Sequence, residues 1–279
     1  MGPVLMSDPG ASSERMPVVF FGHGSPTIIR ENNEVTRTWR RIAQNMPRPK
    51  AILVISAHWM TRGTAVTAME RPQTIHDFGR SLGADLFDYQ YPAPGSPELA
   101  ERVAALLEPI TRVTLDHSWG LDHGTWSVLL KAFPDADIPV VQLSMDGRRE
   151  PEWHVAVGRQ LRPLRDEGIL IAATGNVVHN LGVLQWNDSA KPYDWATQFN
   201  EYVKDSVRRG DVEALADPSP QGQAAAMSIP TPDHYLPLLY ALGARDEADE
   251  PRFDPDFVQY KSLSMTSITW SPKQQAKAA

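Results

Sequence analysis

The sequence contains no cysteine, and this absence removes several kinds of chemistry at once. Disulfide bonds, thiolate-held iron–sulfur clusters, cysteine zinc sites and a cysteine nucleophile are all excluded. Any metal ion bound by this chain must therefore be held by histidine, aspartate or glutamate.

The sequence also lacks a block of basic residues, and acidic residues outnumber basic ones, with a formal net charge of -7 at pH 7. Nucleic-acid backbones require a basic patch, so we expect no nucleic-acid partner. No apolar run approaches the roughly 18 residues that span a bilayer. The first residues, MGPVLMSDPGASSERM, have neither a basic leader nor a continuous apolar segment, so we expect a soluble, cytoplasmic protein without a membrane partner.

Common nucleotide and hydrolase motifs are missing as well. No GxGxxG follows the first predicted strand, and neither GxxxxGK[ST] nor HExxH occurs. The GHGS at residues 22–25 does not match the GxSxG turn of serine hydrolases, so a serine nucleophile has little support. With these motifs absent, metal-dependent chemistry is the class of function that the sequence favours most.

Short apolar runs alternate with segments of helical period from Met16 onward, which predicts βα units around a central sheet. With 279 residues and 42% hydrophobic content, we expect one α/β domain whose mostly parallel sheet carries helices on both faces. Strands covered on both faces are almost continuously apolar. Four segments fit that description and are predicted to form the sheet centre: 17–21, 51–57, 137–144 and 168–174.

Capping residues and apolar spacing predict the flanking helices. One helix begins near Val35 and is stopped by Pro47, and a second is opened by Ser96-Pro97-Glu98. A third ends at Gly210, which suits the left-handed closing position. The segment 214–228, rich in Ala, Gln, Gly, Pro and Ser, is predicted to be a loop or a lid.

Three histidines lie at or just past the carboxyl end of a predicted central strand: His23 after PVVFFG, His58 after AILVISA and His179 after GILIAATGNVV. In open α/β sheets ligands bind at that edge, because side chains from several strands converge there. Each histidine taken alone is also consistent with a packed structural residue. Their shared placement among small residues favours a metal site.

Two more histidines stand where helices are expected to begin. His123 precedes the apolar run GTWSVLLKAF, and His234 follows Thr231 as cap and Pro232 as first helical residue. A helix N-terminus disfavours the imidazolium ion, so either histidine is suited to bind a metal or to accept a proton. Simple surface capping is the alternative for His234, and His154 inside PEWHVAVGRQL is expected to be a surface or packing residue.

Seven segments carry a specific resemblance when they are taken in chain order. They are MPVVFFGHGSP, ILVISAHW, TIHDFG, YPAPGSPELA, WGLDHGTW, GNVVHN and TPDHYLPLLYALGA. Together they resemble the class III extradiol ring-cleavage dioxygenases, in the 4,5-DOPA dioxygenase branch, over nearly the whole chain. The resemblance runs from about Met16 to Ile268 and implies an extradiol catalytic domain, which we expect over residues 16–272 and followed by a polar tail at 273–279. Residues 1–15 precede the first periodic segment and are expected to be a disordered leader or the product of an upstream start.

The resemblance also implies roles for individual residues. His23 and His58 match metal ligands, and His123 matches a histidine that helps to position dioxygen or to donate a proton. His179 matches a position that is described both as the catalytic base and as a metal ligand. The wider superfamily has a glutamate as third ligand, and here His234 stands in the fitting place.

This implied ligand set leaves the metal open between Fe(II) and Zn(II), because an all-histidine site with an open position suits both ions. The implied partners are a small aromatic diol, DOPA-like in this branch, and O2. The same histidines are compatible with a zinc-dependent hydrolase or with a non-catalytic metal-binding module. The sequence does not indicate the oligomeric state.

Overall fold

The computed structural model describes residues 14–187 and 189–273. An eight-stranded sheet has the order β4-β3-β5-β2-β6-β1-β10-β7, and β8 pairs with β9 apart from it. The strand bounds are β1 Val18–Gly22, β2 Ala51–Thr61, β3 Thr64–Thr67, β4 Val113–Asp116, β5 Val140–Asp146, β6 Ile169–Gly175, β7 Glu250–Phe253, β8 Val258–Gln259, β9 Leu263–Ser264 and β10 Ile268–Ser271.

The four strands predicted for the sheet centre are its four middle strands, and they run parallel to one another. Their continuous apolar sequence has a direct structural reason, since successive side chains of β1 enter two different cores. Val18 and Phe20 belong to one apolar cluster, whereas Val19 and Phe21 belong to the other. The single α/β domain with a mostly parallel sheet is confirmed.

Helices cover both of these faces. The α-helix bounds are α1 Glu34–Gln44, α2 Pro97–Leu107, α3 His123–Ala132, α4 Pro151–Leu161, α5 Asp194–Arg209, α6 Val212–Ala216, α7 Gln223–Ser228 and α8 Leu236–Ala244. Helices α1 and α3 pack on the face of Val19, and α2, α4, α5 and α8 pack on the face of Val18.

The predicted capping residues are confirmed at two of these helices. The Ser96 side chain accepts the N–H of Leu99 at the start of α2, and Gly210 closes α5 with a φ of 66°. The predicted loop at 214–228 is wrong in part. Helix α6 ends inside it at Ala216 and α7 occupies 223–228, because the alanines of this segment favour helix once they are buried.

An antiparallel pair completes one side of the sheet, where β10 joins β1 and β7 joins β10. Among the described helices, none is long and apolar enough to cross a membrane. The predicted leader at 1–15 and tail at 273–279 lie almost wholly outside the described residues. Arg15, which is described, forms ion pairs with Asp166 and Asp246.

Candidate active site

His23 is the first residue beyond β1, and only 1% of its surface is exposed. Its main-chain N–H donates a hydrogen bond of 3.1 Å to the carbonyl of Gly175, the last residue of β6. Two parallel strands therefore end side by side at this histidine. This is the carboxyl edge at which the sequence predicts a ligand site.

His58 does not end its strand, which corrects the expectation that β2 stops there. Strand β2 continues to Thr61, but its register with β5 shifts between Ile55 and Met60. His58 lies inside that bulge, where an extra length of backbone can redirect a side chain. Its Nε2 lies 3.1 Å from Nε2 of His23, so the two imidazoles point toward each other.

His123 is the first residue of α3, as its sequence context predicts, and Asp122 caps the helix. The ring centroids of His58 and His123 are 3.9 Å apart. His23, His58 and His123 each offer a ring nitrogen within 4.8 Å of the other two, a grouping that is able to hold a metal ion.

His234 brings a fourth ring to the cluster, with centroids 5.3 Å from His23 and 5.0 Å from His58. It lies in a turn before α8, so the predicted helix start at Pro232 is wrong. The N–H groups of Tyr235 and Leu236 do bond to the carbonyl of Pro232, but Pro237 has no N–H with which to continue the series.

His179 is stacked face to face on His234, with ring centroids 3.5 Å apart and planes within 5° of parallel. It lies beyond the end of β6 and is held by the main-chain bond from its N–H to the carbonyl of Ser228. All five histidines named from the sequence therefore converge on one place.

The other three histidines lie elsewhere. His154 is buried in α4, where its Nδ1 lies 2.9 Å from the Tyr240 hydroxyl, and it is a packing residue as expected. His117 is exposed, and His76 stacks against Phe87 with its Nε2 2.8 Å from the carbonyl of Tyr89.

Burial keeps three of the clustered imidazoles, those of His23, His58 and His179, neutral. It lowers the pKa of His23 well below 6.5, and the neighbouring His234, His123 and His179 lower it further. The pKa of His58 is lowered in the same way, by burial first and then by His123 and His23. Burial and the charge of His234 lower the pKa of His179 to about 3. A neutral imidazole is the form that binds a metal.

The sequence analysis missed three carboxylates around these rings. Asp233 contacts Nδ1 of His234 through Oδ2, and Oδ2 of Asp77 lies 2.9 Å from Nδ1 of His123. Asp122 accepts a 2.6 Å bond from Ser56 at the base of the cluster. Each is adjacent in sequence to a histidine, in TIHDFG, GLDHG and TPDHY, and that adjacency is the signal that marks them.

Asp122 is the most deeply placed of the three. Besides Ser56, its side chain accepts the N–H of Thr125, and it contacts the Gln142 amide. Burial and the nearby Asp77 raise its pKa to about 6, although the bond from Ser56 opposes this shift. The network joins the start of α3 to β2 and β5.

Residues 17–269 match the model of the catalytic LigB subunit of aromatic ring-opening dioxygenase. The chain belongs to this family. The resemblance to extradiol ring-cleaving dioxygenases and the predicted enzyme class, an oxidoreductase, are thereby confirmed.

Individual relatives within the family agree over most of the chain. The Escherichia coli K12 protein named 4,5-DOPA dioxygenase extradiol is 52% identical over 95% of this chain and 98% of its own length. The Portulaca grandiflora protein of the same name is 36% identical over 89% of this chain and 95% of its own. The crystal structure of an uncharacterized E. coli K12 protein superposes with a TM-score of 0.78 at 46% identity, covering 92% of this chain and all 100% of the other.

Proposed function

We propose that this protein is a metal-dependent extradiol dioxygenase that opens the ring of a DOPA-like catechol with O2. The observation that carries the proposal is that the Nε2 atoms of His23 and His58 face each other 3.1 Å apart, with three further histidine rings around them. The names of the relatives from E. coli and from Portulaca grandiflora support DOPA as the model substrate.

A divalent metal fits these residues. At most one proton can lie between the facing Nε2 atoms of His23 and His58, so at least one lone pair points into the gap. Neutral, converging imidazoles of this kind are ligands for both iron and zinc.

Of the two stacked rings, His234 is the better third metal ligand and His179 is the better base. The in-plane lone pairs of parallel rings 3.5 Å apart run side by side and do not converge on one point. Asp233 holds Nδ1 of His234, which leaves Nε2 of that ring free for a metal. We assign the metal to His23, His58 and His234 and keep His179 beside it.

Bound iron would supply the Lewis acidity that favours an ionised catechol and the redox capacity that zinc lacks. His179 is neutral at physiological pH, so its lone pair is available for a proton from a catechol hydroxyl. An anionic oxygen beside this ring would raise its pKa and so favour the transfer. We assign the return of a proton to the opened ring to His123, whose ring centroid lies 3.9 Å from that of His58.

The test is oxygen uptake with L-DOPA, recorded together with the absorbance of the ring-opened product. Metal-free protein is loaded anaerobically with ferrous iron in one sample and with zinc in another. We expect uptake with iron only, reduced at least about 100-fold in His179→Gln. His117→Gln, which changes an exposed histidine, is the matched control and should retain full activity.

Absence of uptake with either metal across several catechols would exclude the proposal. Substrate hydrolysis by the zinc form would then favour a zinc hydrolase, and tight metal binding without turnover would favour a binding module. The cytoplasmic location expected from the sequence stays a prediction.

A further inference from the structure

Asp77 touches two histidines of the site from outside the cluster. Its Oδ1 accepts the main-chain N–H of His123 at 2.8 Å. Its Oδ2 lies 2.9 Å from Nδ1 of His123 and 3.6 Å from Nδ1 of His58. These two ring contacts are electrostatic, because neither has the geometry of a hydrogen bond. Its side chain is only 18% exposed, so solvent screens these contacts weakly.

In both rings the nitrogen that faces Asp77 is Nδ1. The two nitrogens of an imidazole lie on different edges of the ring, so a partner at Nδ1 leaves Nε2 free. In His58 that free Nε2 points at Nε2 of His23. A negative charge beside Nδ1 attracts a proton on that nitrogen and therefore favours the orientation in which Nε2 faces the neighbouring rings.

Capping of α3 does not account for this arrangement. Asp122 is already the N-cap, and its side chain accepts the N–H of Thr125. The bond from Asp77 to the His123 main chain uses one oxygen only. A purely structural role for Asp77 leaves unexplained why its second oxygen lies near a ring nitrogen of both His123 and His58.

We propose that Asp77 is a positioning residue that holds the Nδ1 edges of His123 and His58 and so directs their Nε2 edges inward. The inference rests on the proposed function, because it takes these two histidines as parts of the working site. Removal of such an outer partner commonly lowers metal affinity or activity by about 10 to 100-fold.

The decisive variant is Asp77→Asn, because asparagine retains an oxygen for the His123 main chain but loses the negative charge that faces the two rings. Asp77→Ala removes both contacts. Asp88→Asn, an exposed carboxylate in the same segment, is the matched control. Zinc affinity is measured on metal-free protein by competition with a chelator, and kcat and KM for L-DOPA are measured on the iron-loaded enzyme.

We expect D77N to bind zinc about tenfold more weakly and to lose about 10 to 100-fold in kcat, with KM and the Tm of the metal-free protein close to wild type. The effect of D77N on kcat should be smaller in a His123→Gln background, because the part that acts through that ring is lost, whereas the weaker zinc binding that acts through His58 should remain. D88N should match wild type in every measurement.

The proposal is overturned if D77N keeps wild-type kcat and zinc affinity while D77A loses only thermal stability, since Asp77 would then serve the helix alone. An undiminished effect of D77N in the H123Q background would overturn it as well. If wild-type protein shows no ring cleavage, the proposed function fails, and zinc affinity still decides whether Asp77 positions His58.

Discussion

Acidification should strongly destabilise the metal-free protein well before most of its carboxylates are protonated. Four buried or partly buried histidines have pKa values lowered below the ordinary 6.5: His23, His58, His179 at about 3 and His154 at about 4. Below pH 6.5 the unfolded chain binds protons at these positions, whereas the folded chain does not. Their contribution to stability is therefore complete above that pH and is lost as the pH falls.

The size of the effect follows from proton linkage. Each proton bound only by the unfolded chain changes the free energy of unfolding by about 1.4 kcal/mol per pH unit. Asp122 has the opposite effect on stability, because its pKa of about 6 in the folded protein lies above the ordinary 3.8. The folded chain therefore binds one proton there that the unfolded chain does not bind. The net loss between about pH 6.5 and about pH 5 is then roughly 5 kcal/mol, against a typical total of about 5 to 15 kcal/mol.

Urea unfolding of metal-free protein, followed by tryptophan fluorescence at half-unit steps of pH, measures this loss directly. Changing His179 to Asn should reduce the slope by about one proton, whereas His117→Asn should leave it unchanged. A free energy of unfolding that stays constant within about 1 kcal/mol over this pH range would refute the reasoning. The imidazoles would then have to take up protons in the folded state.

Two further substitutions test the geometry of the cluster. His58→Ala should abolish stoichiometric metal binding while the circular dichroism spectrum stays native; metal retained at one equivalent per chain contradicts the assignment of His58 as a ligand, and H117A is the control. Gly124→Ala would place a methyl group 2.6 Å from Ser56 Oγ and 2.8 Å from Cδ2 of His58. We expect a loss of about 1 to 3 kcal/mol in urea unfolding, together with weaker zinc binding. Gly79→Ala is the control, because the nearest atom there would lie 3.4 Å from the added methyl group. If G124A matches wild type in stability and zinc binding, as G79A should, the site is not tightly packed.

The central strands could be predicted because burial on both faces leaves a local trace, an apolar run without alternation. The outer strands leave no such trace. Strand β4 is four residues long and half exposed, and β7 alternates between exposed and partly buried positions. Their place in the sheet is decided by pairing with distant segments, β3 with β4 and β10 with β7. Composition within a short window does not contain that information.

The histidines of the site could be named for a similar reason, since the end of a buried strand and the start of a helix are local features. Their partners could not. Asp77 reaches His123 across 46 residues of chain, and Ser56 reaches Asp122 across 66. Whether a given carboxylate faces a given ring depends on how the loop before α2 crosses the start of α3, and this is settled by tertiary packing.

The bulge in β2 shows how local sequence and tertiary packing together position His58. Between Ile55 and Met60, five steps along β2 span the same part of the ladder as two steps along β5. The extra backbone includes both Ser56, which bonds to the cap of α3, and His58, which packs beside Gly124 of that helix. A strand with regular register would carry His58 past the start of α3, because each residue would advance it by about 3.3 Å. The bulge therefore keeps His58 level with His123. Because Gly124 has no side chain beyond a hydrogen atom, β2 and α3 approach closely enough for both imidazoles to lie near Asp77.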